Sequence, residues 1–383
     1  MIYLDNAATT PVEPEVIQAM LPYFTERFGN ASGIYEIASV SKTAIRNARQ
    51  KCAQLMGAQP EEIFFTSGGT ESDNWAVFEG AHAAGEKRHL LTSAVEHQAV
   101  LQSFRALERE GYEVEYLPVD GEGFCLPETV EAAIRPDTGL ISIMTANNEI
   151  GTLQRIAQIG GIAKKHGILF HTDAVQAYGQ IPLDTEELQA DLLSASAHKL
   201  GGPKGVGLLY VRKGVPLGSR QKGGGQERAR RAGTENVPGI VGFGEAARIA
   251  GERMRERQER VSGLRDLLLG LLTDKIPNVL LNGPAACGGE RLPGNLNLTI
   301  PGIEGESLLI LLDGQGICAS SGSACSTGAA EPSHVLTAIG RSPEQAKASL
   351  RLTLSHRNTE EEIREASEGI AAAVSRLRSL RES

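Results

Sequence analysis

Ile156-Ala157-Gln158-Ile159-Gly160-Gly161-Ile162-Ala163-Lys164-Lys165-His166-Gly167-Ile168-Leu169-Phe170-His171-Thr172-Asp173 holds one helix and one strand in succession. Ile156, Ile159 and Ala163 recur at the spacing of a single helix face, and Ile168–Phe170 is a short apolar run of strand type. The same alternation extends outward from about residue 40 to about 250. Ile45, Ala48, Cys52 and Leu55 mark a helix, and short apolar runs stand at Ile63–Phe65, Leu90–Leu91, Leu140–Met144, Asp191–Leu193 and Gly205–Val211. Strands alternating with helices imply βαβ units and a largely parallel sheet covered on both faces.

Beyond about 250 the pattern changes. Met254, Val261, Leu264, Leu268 and Leu271 mark a long amphipathic helix, followed by alternating strands at Asn295–Ile300 and Ser349–Leu354. Thr359 and Glu362 form a capping box ahead of a last apolar stripe through Ile363, Ala366, Ile370, Val374 and Leu377. This tail reads as a smaller α+β domain, with a boundary near the long helix.

A chain of 383 residues is long enough for two domains. With 41 % hydrophobic residues it can bury a core, and with a net charge of −9 it does not attract nucleic acid or anionic lipid over its whole surface. Arg228, Arg230 and Arg231 form a local basic run that reads equally as a solvated loop. No signal peptide and no apolar run near the ~20 residues of a membrane helix is evident. The five cysteines, Cys52, Cys125, Cys287, Cys318 and Cys325, are odd in number and show no CxxC spacing, so neither a disulfide framework nor a zinc site fits. The expectation is a soluble protein of a reducing cytoplasm. Cys52 and Cys318 read as buried filler, Cys125 and Cys287 as incidental turn residues, Cys287 being the one to expect exposed.

Ligands of open parallel sheets sit beyond the carboxyl ends of the strands, so the residues after each run matter most. Thr66-Ser67-Gly68-Gly69-Thr70-Glu71-Ser72 follows the first, Glu96-His97 the second and Asn147-Asn148-Glu149 the third. Asp173, with Gln176 close behind, and Ser196-Ala197-His198-Lys199 complete the set. Successive strand ends thus deliver polar groups to one edge. The glycine turn at 67–70 before a helix suits an anion, or a plain cap, but lacks the dinucleotide and Walker spacings. A lysine at a strand end, Lys199 or its neighbour Lys204, suits a Schiff base with an aldehyde cofactor. Asp173 suits a protonated pyridine nitrogen, or a helix N-cap. His97 would stack on a flat ring or move a proton. Cys325 lies among small polar residues, Ser320-Ser321-Gly322-Ser323-Ala324-Cys325-Ser326-Thr327-Gly328, as a reachable nucleophile should.

Taken together, Tyr3–Thr10, Thr66–Asn74, Asn147–Gly151, His198–Gly207, Gly223–Val237 and Ser320–Ser326 resemble the cysteine desulfurases of nitrogen fixation and iron–sulfur cluster assembly over essentially the whole length. Ser321-Gly322-Ser323-Ala324-Cys325 is similar to the desulfurase group with the longer, mobile cysteine loop. The resemblance implies an α/β, fold-type-I pyridoxal-phosphate enzyme. Its large domain, 14–250, would hold a mostly parallel seven-stranded sheet. A smaller α+β domain, 1–13 with 251–383, would carry the cysteine loop at about 318–330.

The resemblance also places the cofactor on Lys199 rather than Lys204, Asp173 at the ring nitrogen, His97 over the ring and Gln176 at the phenolic oxygen. Gly69, Thr70, Ser196 and His198 would hold the phosphate, with Thr234 reaching the phosphate of a second subunit. Asn148 and Arg351 would bind the substrate carboxylate, Arg351 by a bidentate fork. Cys325 would take the sulfur of L-cysteine as a persulfide, release alanine, and hand sulfur to an acceptor such as an iron–sulfur scaffold. The implied enzyme is a homodimer without a resident metal. Two positions depart from the family pattern: Tyr35 stands for a usual histidine and Ala229 for a usual glycine. Rival readings are a selenocysteine lyase or an aminotransferase on the same scaffold, and a non-catalytic scaffold that docks sulfur acceptors.

Overall fold

The computed structural model describes residues 1–321 and 332–382. The chain opens on β1 (Ile2–Tyr3), which pairs much later with a two-residue strand. The main sheet follows: β2 (Ile63–Thr66), β3 (His89–Ser93), β4 (Glu113–Leu117), β5 (Thr138–Ser142), β6 (Leu169–Asp173), β7 (Leu192–Ser196) and β8 (Gly207–Val211). Its order is β2-β8-β7-β6-β5-β3-β4. Only β8 runs against its neighbours, which makes the sheet mostly parallel with seven strands, as expected. Strands β3, β5 and β7 are buried along their whole length, which is why they read as continuous apolar runs rather than alternating ones.

The opening unit folds as read, with a helix at Ile156–Lys165 leading into β6. β4 was absent from the sequence reading. It is an edge strand, partly solvated, in which Glu113 and Glu115 interrupt the apolar signal.

The long helix starts earlier than Met254. It runs Val237–Lys275, 39 residues, about 58 Å at 1.5 Å per residue. Its first third is buried on most sides and built of small residues, so no amphipathic stripe marks it. A Cβ on Gly244 would stand 2.5 Å from the Ala48 Cα, so glycine there lets the helix Glu36–Gln54 pack against it.

Past this helix a three-stranded antiparallel sheet forms from β9 (Leu280–Leu281), β10 (Asn295–Thr299) and, beyond the two-residue β11 (Ile317–Cys318) that pairs with β1, β12 (Ser349–Thr353). The closing helix is Glu360–Glu382. Its capping box is present: Glu362 N–H donates to Thr359 Oγ1 at 3.2 Å, and Thr359 N–H to Glu362 Oε2 at 3.1 Å. Of the apolar clusters, the two largest lie under the main sheet around Phe65, Leu193, Tyr210 and Phe243, and around Leu4, Leu268, Leu296, Leu352 and Ile370.

Among the cysteines, Cys52 is fully buried and Cys287 exposed, as read. Cys125 is fully buried, and Cys318 only half-buried at the end of β11, a correction to its reading as buried filler. Cys325 falls in 322–331, outside the described residues. Among the described residues no helix is long and apolar enough to cross a membrane.

Candidate active site

The residues after β6 and β7 bond the chain's own first residues, Ala7 to Thr10. After β2, the helix Gly69–Ala83 begins at Gly68, which offers no side-chain cap to the free N–H groups of the first turn. The approach is close: a Cβ on Gly69 would lie 2.6 Å from a Val175 methyl and 3.6 Å from the Ser196 Cβ. Gly69, Thr70 and Ser196 are therefore brought to one point. His198 lies just beyond Ser196, its ring Nδ1 3.2 Å from Thr9 Oγ1. Burial, with Lys199 and Lys204 beside it, pulls the His198 ring down to about 4, so it stays neutral at pH 7.

Asp173 ends β6 and is buried. Its Oδ1 accepts the Val175 N–H at 2.8 Å, the hydrogen bond of an Asx turn, while burial raises its pKa and His97 and Lys199 oppose that rise. His97 caps the helix Gln98–Arg109 through Nδ1, which accepts the Ala99 N–H at 3.1 Å and leaves the proton of the neutral ring on Nε2. Burial lowers its pKa, Lys199 adds to this, and Asp173 resists.

Lys199 closes the turn Ala197–Lys199 after β7. Its Nζ donates to the carbonyls of Ala7 and Ala8, the latter at 2.9 Å. Gln176 Nε2 donates to the same Ala7 carbonyl at 3.0 Å, so Gln176 and Lys199 face one another across it. Burial, with Arg351 nearby, brings the Lys199 ammonium down to about 8, against the pull of Asp173 and Asp5. Lys204, its rival in sequence, is exposed to solvent. On the far side Arg351, buried in β12, donates through one NH2 group to the Asn148 carbonyl at 3.1 Å and through the other to Asp5 Oδ1 at 2.9 Å. Its Nε is buried with no hydrogen-bond partner among the described residues.

Two proposed residues are not gathered here. Thr234 is exposed in the segment that leads to Val237. Cys325 lies outside the described residues. The basic run is internally partnered: Arg231 forms a fork on Glu71 at 2.8 and 3.0 Å, and Arg228 and Arg230 stack on Phe64. Ala229, the departure from glycine, sits at φ 61°, after Glu227 at 45° and Arg228 at 58°. Tyr35 is exposed at the start of the helix Glu36–Gln54.

The sequence reading missed Asp73 and His171 and gave Glu96 no role. Asp73, His97 and Asp173 each place one ligand-type atom within 4.8 Å of the others. Asp73 is buried, and burial beside Asp173 raises its pKa well above the carboxylate range. Beneath it, His171 bridges Ser142 Oγ and Ser194 Oγ at 2.8 and 3.0 Å. Asp73 stands four residues after Gly69, hence on the same helix face, a spacing that could have exposed it.

The chain belongs to the aminotransferase class-V family, whose model matches residues 2–365. Enzymes of that family generally use pyridoxal phosphate. Among characterised relatives, the cysteine desulfurase IscS of Methanosarcina thermophila is 54 % identical over 381 residues, 99 % of this chain and 93 % of that one. The IscS of Dictyoglomus turgidum is 48 % identical over 380 residues, 99 % and 96 % of the two chains. A solved NifS-like protein superimposes with a TM-score of 0.91 at 39 % identity, covering 98 % of this chain and 99 % of that one. The structure of SspA in complex with cysteine matches with a TM-score of 0.80 at 36 % identity, over 92 % and 99 %.

Proposed function

We propose that this chain is a pyridoxal-phosphate-dependent cysteine desulfurase, which converts L-cysteine to L-alanine and holds the sulfur as a persulfide on Cys325. The observation that carries the reading is the placement of one half-buried amine, Lys199, between the Asp173–His97 pair and Arg351. The desulfurase relatives over nearly the full length support it.

The residues fit the cofactor. Buried Asp173 is a carboxylate in want of a cation, the helix start at Gly68 is an anion cradle, and Lys199 is an amine shifted toward its reactive neutral form. Lys199, Asp173, Gln176 and His97 would hold its ring, and Gly69, Thr70, Ser196 and His198 its phosphate, with Thr234 serving a second subunit. When bound, pyridoxal phosphate supplies an electron sink for the pair left at the substrate Cα. Arg351 and Asn148 bind the substrate carboxylate. Lys199 Nζ takes and returns the Cα proton, and His97 Nε2 moves a proton to or from the thiols. The Cys325 thiolate attacks the substrate sulfur. An S–S bond forms, the substrate Cβ–S bond breaks with its electron pair left on the carbon side, and protonation there gives alanine.

The same reading makes the protein a cytoplasmic homodimer that passes sulfur to an acceptor such as an iron–sulfur scaffold. Leu21, Phe24, Phe28, Ile34 and Tyr35 are large apolar side chains left exposed on neighbouring stretches, a surface suited to a second copy. The two-domain division at 14–250 and 1–13 with 251–383 also belongs to it, supported by the two largest apolar clusters, while Val335 and Leu336 pack on Val95 and Ile150 across the boundary. The test is incubation of the purified protein with L-cysteine and no keto acid. Alanine should form with persulfide on Cys325, and Cys325→Ser should keep the cofactor but make no persulfide. Alanine release that demands a keto-acid acceptor would sink the reading.

A further inference from the structure

The stretch from Asp5 to Glu13 bonds four of the residues assigned to the site. Asp5 Oδ1 accepts from Arg351 at 2.9 Å. The Ala7 carbonyl accepts from Gln176 Nε2 at 3.0 Å and from Lys199 Nζ, and the Ala8 carbonyl accepts from Lys199 Nζ at 2.9 Å. Thr9 Oγ1 stands 3.2 Å from the His198 ring. Thr10 then fastens the stretch to the turn that carries Lys199. Its N–H and its Oγ1 both donate to the His198 carbonyl, at 2.9 and 3.0 Å, and its Oγ1 accepts the Gly201 N–H at 2.9 Å. The Glu13 N–H donates to the Gly201 carbonyl at 2.9 Å.

This strap ends on a carboxylate with more cationic partners than its burial demands. Glu13 is buried, its Oε1 accepts from Arg257 at 2.8 Å and meets the His356 ring at 3.1 Å, and its Oε2 accepts from Arg357 at 2.8 Å. Glu227, about as buried, is served by the single guanidinium of Arg49 and a backbone N–H. The partners of Glu13 also come from two separate elements. Arg257 lies on the helix Val237–Lys275, and His356 and Arg357 follow β12. Burial opposes the charge, but His356, Arg357 and Arg257 hold the Glu13 carboxyl down at about 2, so the lock is ionised at any pH near neutral. Packing alone does not fix the strap, since a cavity of about 50 Å³ lies beside it, lined by Thr10, Glu13, Lys199 and Arg257 among others.

We propose that Glu13 is a positioning residue: it locks the strap, and the Ala7 and Ala8 carbonyls of the locked strap fix where the Lys199 amine rests and receive its ammonium form. This rests on the function proposed above, in which Lys199 is the reactive amine. An ammonium with two carbonyl acceptors gives up its proton less readily than one without them. The other groups facing it are Arg351, which disfavours the charge, Asp173 and Asp5, which favour it, and the rings of His97 and His198. Asp5 is itself on the strap. Unlocking the strap therefore weakens the pull of Asp5 and of the carbonyls together, and both changes make the amine reactive at lower pH.

The experiment uses the full-length chain with Glu13→Gln, Thr10→Val and Thr10→Ser. Thr10→Val loosens the strap without changing any charge, and Thr10→Ser keeps the hydroxyl. Glu245→Gln is the control: Glu245 bonds Lys51 and Arg248 at 2.6 Å on the same long helix, with no contact to the strap. Two quantities are read against pH. Trinitrobenzenesulfonate labelling of Lys199 in the cofactor-free chain, located by mass spectrometry, reports the free amine. The rate of growth of the visible band on adding pyridoxal phosphate reports its capture of the cofactor. Glu13→Gln and Thr10→Val should lower both midpoints by about one pH unit, the scale of one charge-assisted hydrogen bond. Thr10→Ser and Glu245→Gln should keep the wild-type midpoints. A wild-type midpoint in Thr10→Val would overturn the proposal. So would a Glu13→Gln shift that disappears in about 0.5 M salt, where the Debye length is about 4 Å, because it would be the field of the freed arginines rather than the strap. An equal shift in Glu245→Gln would also overturn it, as the mark of general loosening. If no visible band forms in the wild-type chain, the proposed function fails instead, and the labelling still decides whether the strap places Lys199.

Discussion

Arg351 donates to Asp5 Oδ1 at 2.9 Å, so the guanidinium proposed for the substrate carboxylate already holds a carboxylate of its own chain. The two acids compete for one fork. Removing the charge with Asp5→Asn should leave Arg351 freer and the site more positive. The KM for L-cysteine should fall by roughly threefold to tenfold, the range expected for a partly buried ion pair. An unchanged or higher KM would show that Asp5 holds Arg351 in place rather than contesting it.

Lys199 at about 8 sets a pH dependence that does not need turnover. Only the neutral amine can attack an aldehyde, and its fraction falls about tenfold per pH unit below that value. When cofactor is added to the cofactor-free chain, the rate of growth of the visible band should climb steeply from pH 6 to pH 7 and level off above about pH 8. Lys199→Ala should give no such band at any pH. A flat rate across this range would assign the reactive amine elsewhere.

The left-handed run Glu227-Arg228-Ala229 is held by a buried fork. Arg49 bonds both Glu227 oxygens at 2.7 Å, and the Phe65 N–H adds a third contact at 3.0 Å. A side chain at φ 61° is strained, and Ala229 has no polar group to compensate. Ala229→Gly should raise the unfolding free energy by about 0.5–1 kcal/mol, net of the extra freedom glycine has when unfolded. Chemical denaturation of the two proteins measures it, and a destabilised glycine variant would refute the strain.

What could be read from the sequence follows from where each signal is local. Leu140–Met144 is buried throughout, and Ile168–Phe170 except at half-buried Leu169, so their composition alone marks them as strands, and the residues after them fall at the site by topology. β4 escaped because an edge strand keeps charged residues on its wet side. The first third of Val237–Lys275 escaped because burial on most sides removes the amphipathic stripe. Lys199 and Asp173 were legible as strand-end residues, but the choice of Lys199 over Lys204 needed either the resemblance or the burial difference now seen. The hydrogen bond from Ser333 Oγ to Glu149 was illegible for a different reason: it joins segments 184 residues apart, and no local pattern encodes it.

Glu96 offers the clearest stability test, because it is buried and its charged form is poorly served. Its Oε1 accepts from Ser93 Oγ at 2.6 Å and the Met144 N–H at 2.8 Å, but Oε2 is buried without a partner among the described residues. Burial, reinforced by Asp173, pushes its pKa up to about 8 from the 4.5 of a free side chain. Below 4.5 the carboxyl is protonated both folded and unfolded, and its full contribution is present. Between 4.5 and about 8 the unfolded chain ionises while the folded one keeps its proton, so stability drains away as pH rises, and above about 8 the loss is complete. Glu96→Gln mimics the protonated acid and has no such dependence. The variant should therefore gain on wild type by a few kcal/mol between pH 5 and pH 8, with roughly 5 kcal/mol as the ceiling set by the size of the shift. Neighbouring Asp73 and Asp173 also titrate, but they are present in both proteins and largely cancel in the difference. Urea unfolding of each at the two pH values provides the comparison; a gap that stays constant with pH would mean that Glu96 is ionised in the folded state and that some cation, not burial, governs it.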